Sequence, residues 1–225
     1  MLYIIPTPLG NLQDITLRAV ELLKNLHYVI CEDTRSTKKL MQLLNIPYDT
    51  KQFYSLTSFT NAGQIDRYVD LIKNNDVGLV SDAGTPWLSD PGKSLIEVCH
   101  KYTLPFTVLP GANALIPVVV ASGFDTSQFV YIGFLPKKKG KQTLMKEMIA
   151  SERPYFFYES VHRISKALQE LYNLGFRGKV SIGRELTKMH EQLLTDSIEN
   201  VLAALKAGQI PEKGEFVVGV ISQVW

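Results

Sequence analysis

Along the chain, short apolar runs alternate with stretches in which apolar residues recur every three or four positions. Leu2 to Ile5, Tyr28 to Cys31, Val77 to Ser81 and Thr107 to Leu109 are brief and apolar and stop at turn-forming or charged residues, which predicts buried strands. Between them, Ala19, Val20, Leu23 and Leu26 share one helical face, and Ile65, Tyr68, Val69 and Ile72 share another. Strands alternating with helices predict βαβ units, and hence an α/β fold with a largely parallel sheet. The second half repeats the style. Pro154 to Tyr158 and Val180 to Gly183 read as strands around a helix carrying Ile164, Leu168 and Leu171, and Val217 to Ile221 reads as a last strand. A boundary near residues 111 to 117 divides the chain into 1–112 and 113–225, and with no Pro/Gly/Ser-rich linker there, the halves are expected to pack closely.

With 225 residues, 45% of them hydrophobic, the chain can bury a sizeable core. The longest apolar candidate for a membrane span, around Ile116 to Ala121, stops at Ser122-Gly123, well short of the roughly 18 to 20 residues a span needs. Met1-Leu-Tyr-Ile-Ile-Pro has neither the basic start nor the cleavage site of a signal peptide, so a cytoplasmic protein is expected, with no membrane partner. The two cysteines, Cys31 and Cys99, lie far apart in apolar settings and read as buried thiols rather than a disulfide or metal ligands. A formal charge of +2 is too small to imply a nucleic-acid partner, so any such case rests on local clusters. The clearest is Lys137, Lys138, Lys139 and Lys141, followed by Lys146 and Arg153; a solvated loop has the same composition.

Glycine and proline clusters directly follow three predicted strands, at Pro6–Asn11, Asp82–Pro86 and Pro110–Asn113. In open α/β sheets the carboxyl ends of strands form the ligand crevice, and glycine there lets backbone approach a bound molecule. Each loop alone would pass for a tight turn; together they suggest one shared pocket. The dinucleotide fingerprint is absent, and so is the phosphate loop, since Asp90-Pro-Gly92-Lys93-Ser94 offers a Gly-Lys-Ser but lacks the leading glycine. His190-Glu191 begins like a zinc helix, but Leu194 stands where the second histidine belongs, so no metal is expected. Charged residues cluster at other strand ends: Glu32-Asp33-Thr34-Arg35, Glu159-Ser160 with His162-Arg163, and Arg184-Glu185 with Lys188. Carboxylates so placed can hydrogen-bond a ligand or accept a proton, while Asp33, Thr34 and Ser160 are equally good helix N-caps.

Thr7-Pro8-Leu9-Gly10-Asn11-Leu12, Glu32-Asp33-Thr34-Arg35, Ser81-Asp82-Ala83-Gly84-Thr85-Pro86 with Ser89-Asp90-Pro91-Gly92, Gly133-Phe134-Leu135-Pro136, Tyr158-Glu159-Ser160 with His162-Arg163, and Arg184-Glu185-Leu186-Thr187-Lys188 occur in that order. This succession resembles the ribosomal-RNA methyltransferases of the tetrapyrrole methylase superfamily, from residue 2 to about 220. The resemblance implies two α/β subdomains with S-adenosyl-L-methionine in the cleft between them, usually in a homodimer. It also implies methyl transfer to the 2′-oxygen of a cytidine in the decoding region of small-subunit rRNA, with that rRNA or the 30S subunit as partner. The positions matching the family's cofactor pocket are Pro8, Leu9, Gly10, Asp82, Ala83, Gly84, Thr85, Pro110, Gly111, Ala112, Ala121, Gly214, Glu215, Phe216 and Val217. Trp87, Val161 and Asn113 depart from the pattern, and the chain ends at Trp225, where longer members carry a further helical segment.

A ribose hydroxyl must be aligned with the methyl group and relieved of its proton, a displacement that needs no metal. Glu159, Arg184, Glu185 and Lys188 are the candidates for that work, Asp33 and Arg35 for the substrate entrance, and Lys137, Lys138, Lys139 and Lys141 for phosphate contacts. Two rival readings remain open at this level: a methylase of the same superfamily acting on a tetrapyrrole or a protein side chain, and a non-catalytic RNA-binding factor on the same fold.

Overall fold

The computed structural model describes residues 1–57, 59–86, 88 and 93–222, with 93 and 94 placed as backbone only. The Ser89–Gly92 motif and Trp87 lie outside the described residues. The chain forms two compact units, Met1–Asn113 and Ala114–Trp225.

The first unit is a doubly wound sheet. Its strands β1 (Leu2–Ile4), β2 (Tyr28–Cys31), β3 (Gln52–Ser55), β4 (Val77–Val80) and β5 (Phe106–Val108) are all parallel, in the order β3-β2-β4-β1-β5. Helices α1 (Leu17–Asn25) and α2 (Thr34–Leu43) place Ala19, Leu23 and Met41 against Ile5, Val29, Cys31 and Val80. On the opposite face α3 (Ala62–Asn74) and α4 (Lys93–Lys101) place Ile65, Val69, Ile72, Leu95 and Cys99 against Leu2, Ile4, Ile30 and Leu79. Helices on both faces explain why these strands read as continuous apolar runs rather than alternating ones. Each fully buried Leu or Ile contributes roughly 1.5–3 kcal/mol, so the two half-cores hold the sheet from both sides. Both cysteines are buried, as expected of thiols in apolar settings.

The second unit departs from the expected parallel pattern. Strands β6 (Val130–Phe134), β7 (Tyr155–Ser160), β8 (Lys179–Arg184), β9 (Gln192–Ser197) and β10 (Glu215–Ile221) run in the order β6-β7-β10-β8-β9. Only β6 and β7 pair in parallel; the other three pairings are antiparallel. The reason lies in the connections: β8 and β9 are joined by a short loop instead of a crossover helix, which only antiparallel strands permit. Helices α6 (Lys141–Ala150), α7 (Ile164–Asn173) and α8 (Ile198–Lys206) bury Met145, Met148, Leu168, Leu171, Val201 and Leu205 against Phe157, Ile182, Phe216 and Val218. Helix α5 (Leu115–Ala121) covers part of the other face. Gly183 makes room for it, since a Cβ there would stand 2.2 Å from Val118 Cγ2. Among the described residues no helix is long and apolar enough to cross a membrane.

Candidate active site

In the first unit β1 connects through α1 to β2 on one side, whereas its neighbour β4 connects through α4 to β5 on the other. Strand order therefore reverses between β1 and β4, and in open α/β sheets a crevice opens beyond the carboxyl ends at that point. The three glycine and proline loops foreseen from the sequence meet there. Thr7 and Gly84 exchange backbone hydrogen bonds of 2.9 Å in both directions, and Thr7 Oγ1 donates to the Ser81 carbonyl at 3.1 Å. Thr85 Oγ1 donates to the Ala112 carbonyl at 3.0 Å, joining the third loop. Gly84 has φ +78°, and a Cβ on it would lie 3.1 Å from Leu9 Cδ2. A Cβ on Gly111 would stand 2.6 Å from Pro6 Cβ, so the close approach of two loops dictates glycine. Pro8, Leu9, Gly10, Asp82, Ala83, Pro110 and Ala112 belong to the same assembly, with Gly10, Asp82, Pro110 and Gly111 exposed.

A carboxylate rim, only partly foreseen, borders this cradle. Glu32, at the end of β2, lies within electrostatic reach of Asp82, and both lie within reach of Asp33 at the start of α2. Partial burial is the main cause pushing both carboxyls above their ordinary range, and the negative charge of Asp82 also raises Glu32. Glu32 was visible only as part of a charged block; its position directly after a buried strand was the available signal. Burial pushes the nearby Cys31 thiol up to about 11, which keeps it an inert core residue.

Asp33 does not point freely toward a substrate. It is the N-cap of α2, accepting from Arg35 N at 2.7 Å, and its two oxygens also take Arg35 Nε at 3.2 Å and Nη2 at 2.7 Å. These bonds from Arg35 hold the Asp33 carboxyl down at about 2. The carboxylate's hydrogen-bonding capacity is thus spent within the chain, and only the Arg35 guanidinium, highly exposed, remains presented outward. Ser160, by contrast, does not cap α7, whose N-cap position is Arg163.

The second unit holds the candidates for proton handling, and two of them are turned inward. The side chain of Glu159 is fully buried; Oε1 accepts from Ser160 N at 2.7 Å, and Oε2 lies 3.2 Å from Arg163 Nη2 without hydrogen-bond alignment. Burial raises its carboxyl above the ordinary range, with Arg163 and Lys141 pulling the other way. Arg163 Nη2 donates to the Leu135 and Pro136 carbonyls at 2.6 and 3.3 Å, so Glu159 braces a loop clamp. Arg184 is also buried: Nε donates to the Lys213 carbonyl at 2.8 Å, and Nη1 to the His190 carbonyl and Gln192 Oε1 at 3.1 and 3.2 Å. Its charge faces these loops, not a ligand.

Glu185 and Lys188 remain partly exposed. Lys188 Nζ donates to Glu185 Oε1 at 3.0 Å and to Glu215 Oε2 at 2.9 Å, while Glu185 Oε1 accepts from Glu215 N at 3.1 Å. Partial burial opposes the charge on each, but Lys188 outweighs it to lower the Glu185 carboxyl, and the two carboxylates outweigh it to raise the Lys188 ammonium. Glu185 and Thr187 both adopt positive φ, 50° and 64°, and such non-glycine strain concentrates at functional sites. Gly214 has φ +88°, and a Cβ on it would overlap the Glu185 carboxylate. Among the other expected cofactor positions, Ala121 is exposed at the end of α5, while the Phe216 side chain is spent in the helix-covered core and Val217 is buried in β10. Lys137, Lys138 and Lys139 are exposed, but Lys141 is buried and paired with Glu170 at 2.5 Å, so it drops out of the basic patch. Among the described residues no group of His, Cys, Asp or Glu is placed to hold a metal ion.

Residues 1–202 match the family of tetrapyrrole (corrin/porphyrin) methylases, and the chain belongs to that family of methyltransferases. It is similar to ribosomal RNA small subunit methyltransferase I of Hydrogenobaculum sp. (strain Y04AAS1), at 44% identity over 91% of this chain and 89% of that one. The protein of the same name from Helicobacter pylori (strain J99) is 36% identical over 99% of this chain and 83% of its own length. Among solved structures, diphthine synthase superposes with a TM-score of 0.76 at 13% identity, covering 99% of this chain and 90% of that one. The uroporphyrin-III C-methyl transferase from Thermus thermophilus, complexed with S-adenyl homocysteine, gives a TM-score of 0.65 at 15% identity, covering 98% and 96%.

Proposed function

We propose that this protein transfers the methyl group of S-adenosyl-L-methionine to the 2′-oxygen of a cytidine ribose in the decoding region of small-subunit rRNA, working as a cytoplasmic homodimer. The observation that carries the reading is the 44% identity, over nine-tenths of the chain, to a protein named for small-subunit rRNA methylation. The cradle between β1 and β4 fits the cofactor: Gly84 and Gly111 let its loops close on one another, and Glu32 and Asp82 offer negative charge to an ammonium group and acceptors to ribose hydroxyls. When bound, S-adenosyl-L-methionine supplies a methyl group on a positively charged sulfur, which departs as a neutral thioether.

The protein's own share is positioning and proton handling. Glu185, kept ionised by Lys188, accepts the proton of the ribose hydroxyl, and the Lys188 ammonium steers that hydroxyl. Arg184 holds the loop that carries both, and Glu159 holds Arg163. Lys137 to Lys139 meet RNA phosphates, which orient the substrate without reading its sequence.

Purified protein, radiolabelled S-adenosyl-L-methionine and unmethylated small ribosomal subunits, followed by nuclease mapping, test this directly. Label in the 2′-O-methyl of a single cytidine is the expected result. Absence of label from a protein that binds the cofactor would overturn the assigned acceptor.

A further inference from the structure

Strand β6 carries an irregularity that re-aims one aromatic ring. Its register against β7 shifts between Tyr131 and Phe134, and Gly133 there has φ +66°. In an even strand Tyr131 and Phe134 would point to opposite faces; a bulge changes that alternation. Here both rings reach Tyr158 on the neighbouring strand, Tyr131 at 5.5 Å and Phe134 at 5.6 Å between centroids. Ile132 packs toward the helix-covered core, and Leu135 is buried in it. Phe134 nevertheless stays 53% exposed.

Its position is held on the C-terminal side. Arg163 clamps the carbonyls of Leu135 and Pro136 directly after the ring, and Lys137, Lys138 and Lys139 follow, all exposed. An exposed aromatic ring backed by two others, with a cationic run three residues on, has the chemistry of single-stranded nucleic-acid sites: stacking for the base and positive charge for the backbone.

We propose that Phe134, backed by Tyr158 and Tyr131, is the stacking platform for an unpaired base of the acceptor RNA, with Lys137 to Lys139 on the adjoining phosphates. This rests on the reading of the protein as an RNA methyltransferase. It gives the fully buried Glu159 a purpose: through Arg163 it is a positioning residue for the platform.

The test uses the whole protein and a short single-stranded RNA containing 2-aminopurine, whose fluorescence is quenched on stacking. Wild type quenches the probe. Phe134→Ala weakens RNA binding about 10- to 100-fold and loses the quench, while Phe134→Tyr keeps both. Replacing Lys137, Lys138 and Lys139 together by alanine leaves the quench at low salt but flattens the slope of log affinity against log salt by about 2. Cofactor titration and thermal melting establish that each variant is folded. Equal quenching by Phe134→Ala and wild type overturns the platform. So does a change in sedimentation of Phe134→Ala with quenching intact, which would make the ring a contact between copies of the chain. The readout is independent of methyl transfer: quenching by a wild type that labels no ribosomal RNA leaves the platform standing and removes the assigned acceptor.

Discussion

In the first unit the carboxylates of Glu32 and Asp82, which follow β2 and β4, lie within electrostatic reach of each other, and Asp82 stays exposed at the crevice. In the second, Arg184 turns inward onto two loop carbonyls and the Gln192 side chain of β9, and Glu185 and Lys188 close a charged cluster with Glu215. Sheet direction explains the contrast. All strands of a parallel sheet end on one edge, so their terminal loops gather there and can share a ligand. In an antiparallel pair the end of one strand meets the start of the next, so Arg184 at the end of β8 lies opposite Phe216 near the start of β10 and its polar neighbours find partners within the chain. The parallel unit offers an open cradle, whereas the antiparallel part of the second unit offers a braced, strained loop.

Arg184→Met breaks the braced side most severely. It strands two carbonyls and an amide oxygen and should cost roughly 2–4 kcal/mol. Thermal melting would read the loss, with Arg184→Lys failing to restore it because an ammonium cannot span the same fork of acceptors. With the cofactor in the proposed cradle of the first unit, its affinity should survive at temperatures where the variant is folded.

Gly84→Val attacks the open side. Positive φ and the nearby Leu9 side chain should together cost about 1–3 kcal/mol. Calorimetric titration should show cofactor affinity at least tenfold weaker.

Glu32→Gln gives a smaller change, and it has the opposite sign. A carboxyl raised in the folded state contributes stability below its unfolded value and loses it as pH rises through the folded value. At pH 7 the charged form is therefore a slight burden, and the amide should stabilise by about a few tenths of a kcal/mol, solvent screening at this half-buried position limiting the gain. That gain should vanish as pH falls below the ordinary carboxylate range, while cofactor affinity at pH 7 drops. Asp33→Asn should do the reverse in melts against pH: its carboxyl, at about 2, stabilises above the ordinary value of 3.8 and stops doing so as pH falls toward about 2. Because asparagine still caps, only the pairing with Arg35 is lost, and the effect should be smaller still.

The first unit was most readable in its central strands, which are covered by helices on both faces and leave uninterrupted apolar runs such as Val77 to Val80. Strand β9, Gln192–Ser197, was not, because it lies at a sheet edge with Leu193 exposed and polar residues interleaved. Strand β3 was missed for a similar reason: Gln52–Ser55 contains no fully buried residue. Loop chemistry divided in the same way. The glycines of the cradle announced themselves by composition, whereas the inward turn of Glu159, Arg184 and Lys141 depends on carbonyls and carboxylates distant in sequence, such as Lys213 and Glu170. Charge identity alone could not reveal which of these groups would be spent on the chain itself.

The most direct test of the central claim, that the switch point between β1 and β4 holds the cofactor, is titration of S-adenosyl homocysteine into isotope-labelled protein with amide shifts followed by NMR. Large shifts at Leu9, Gly84, Thr85 and Gly111 are expected. Saturating ligand that leaves those four amides unmoved would contradict it.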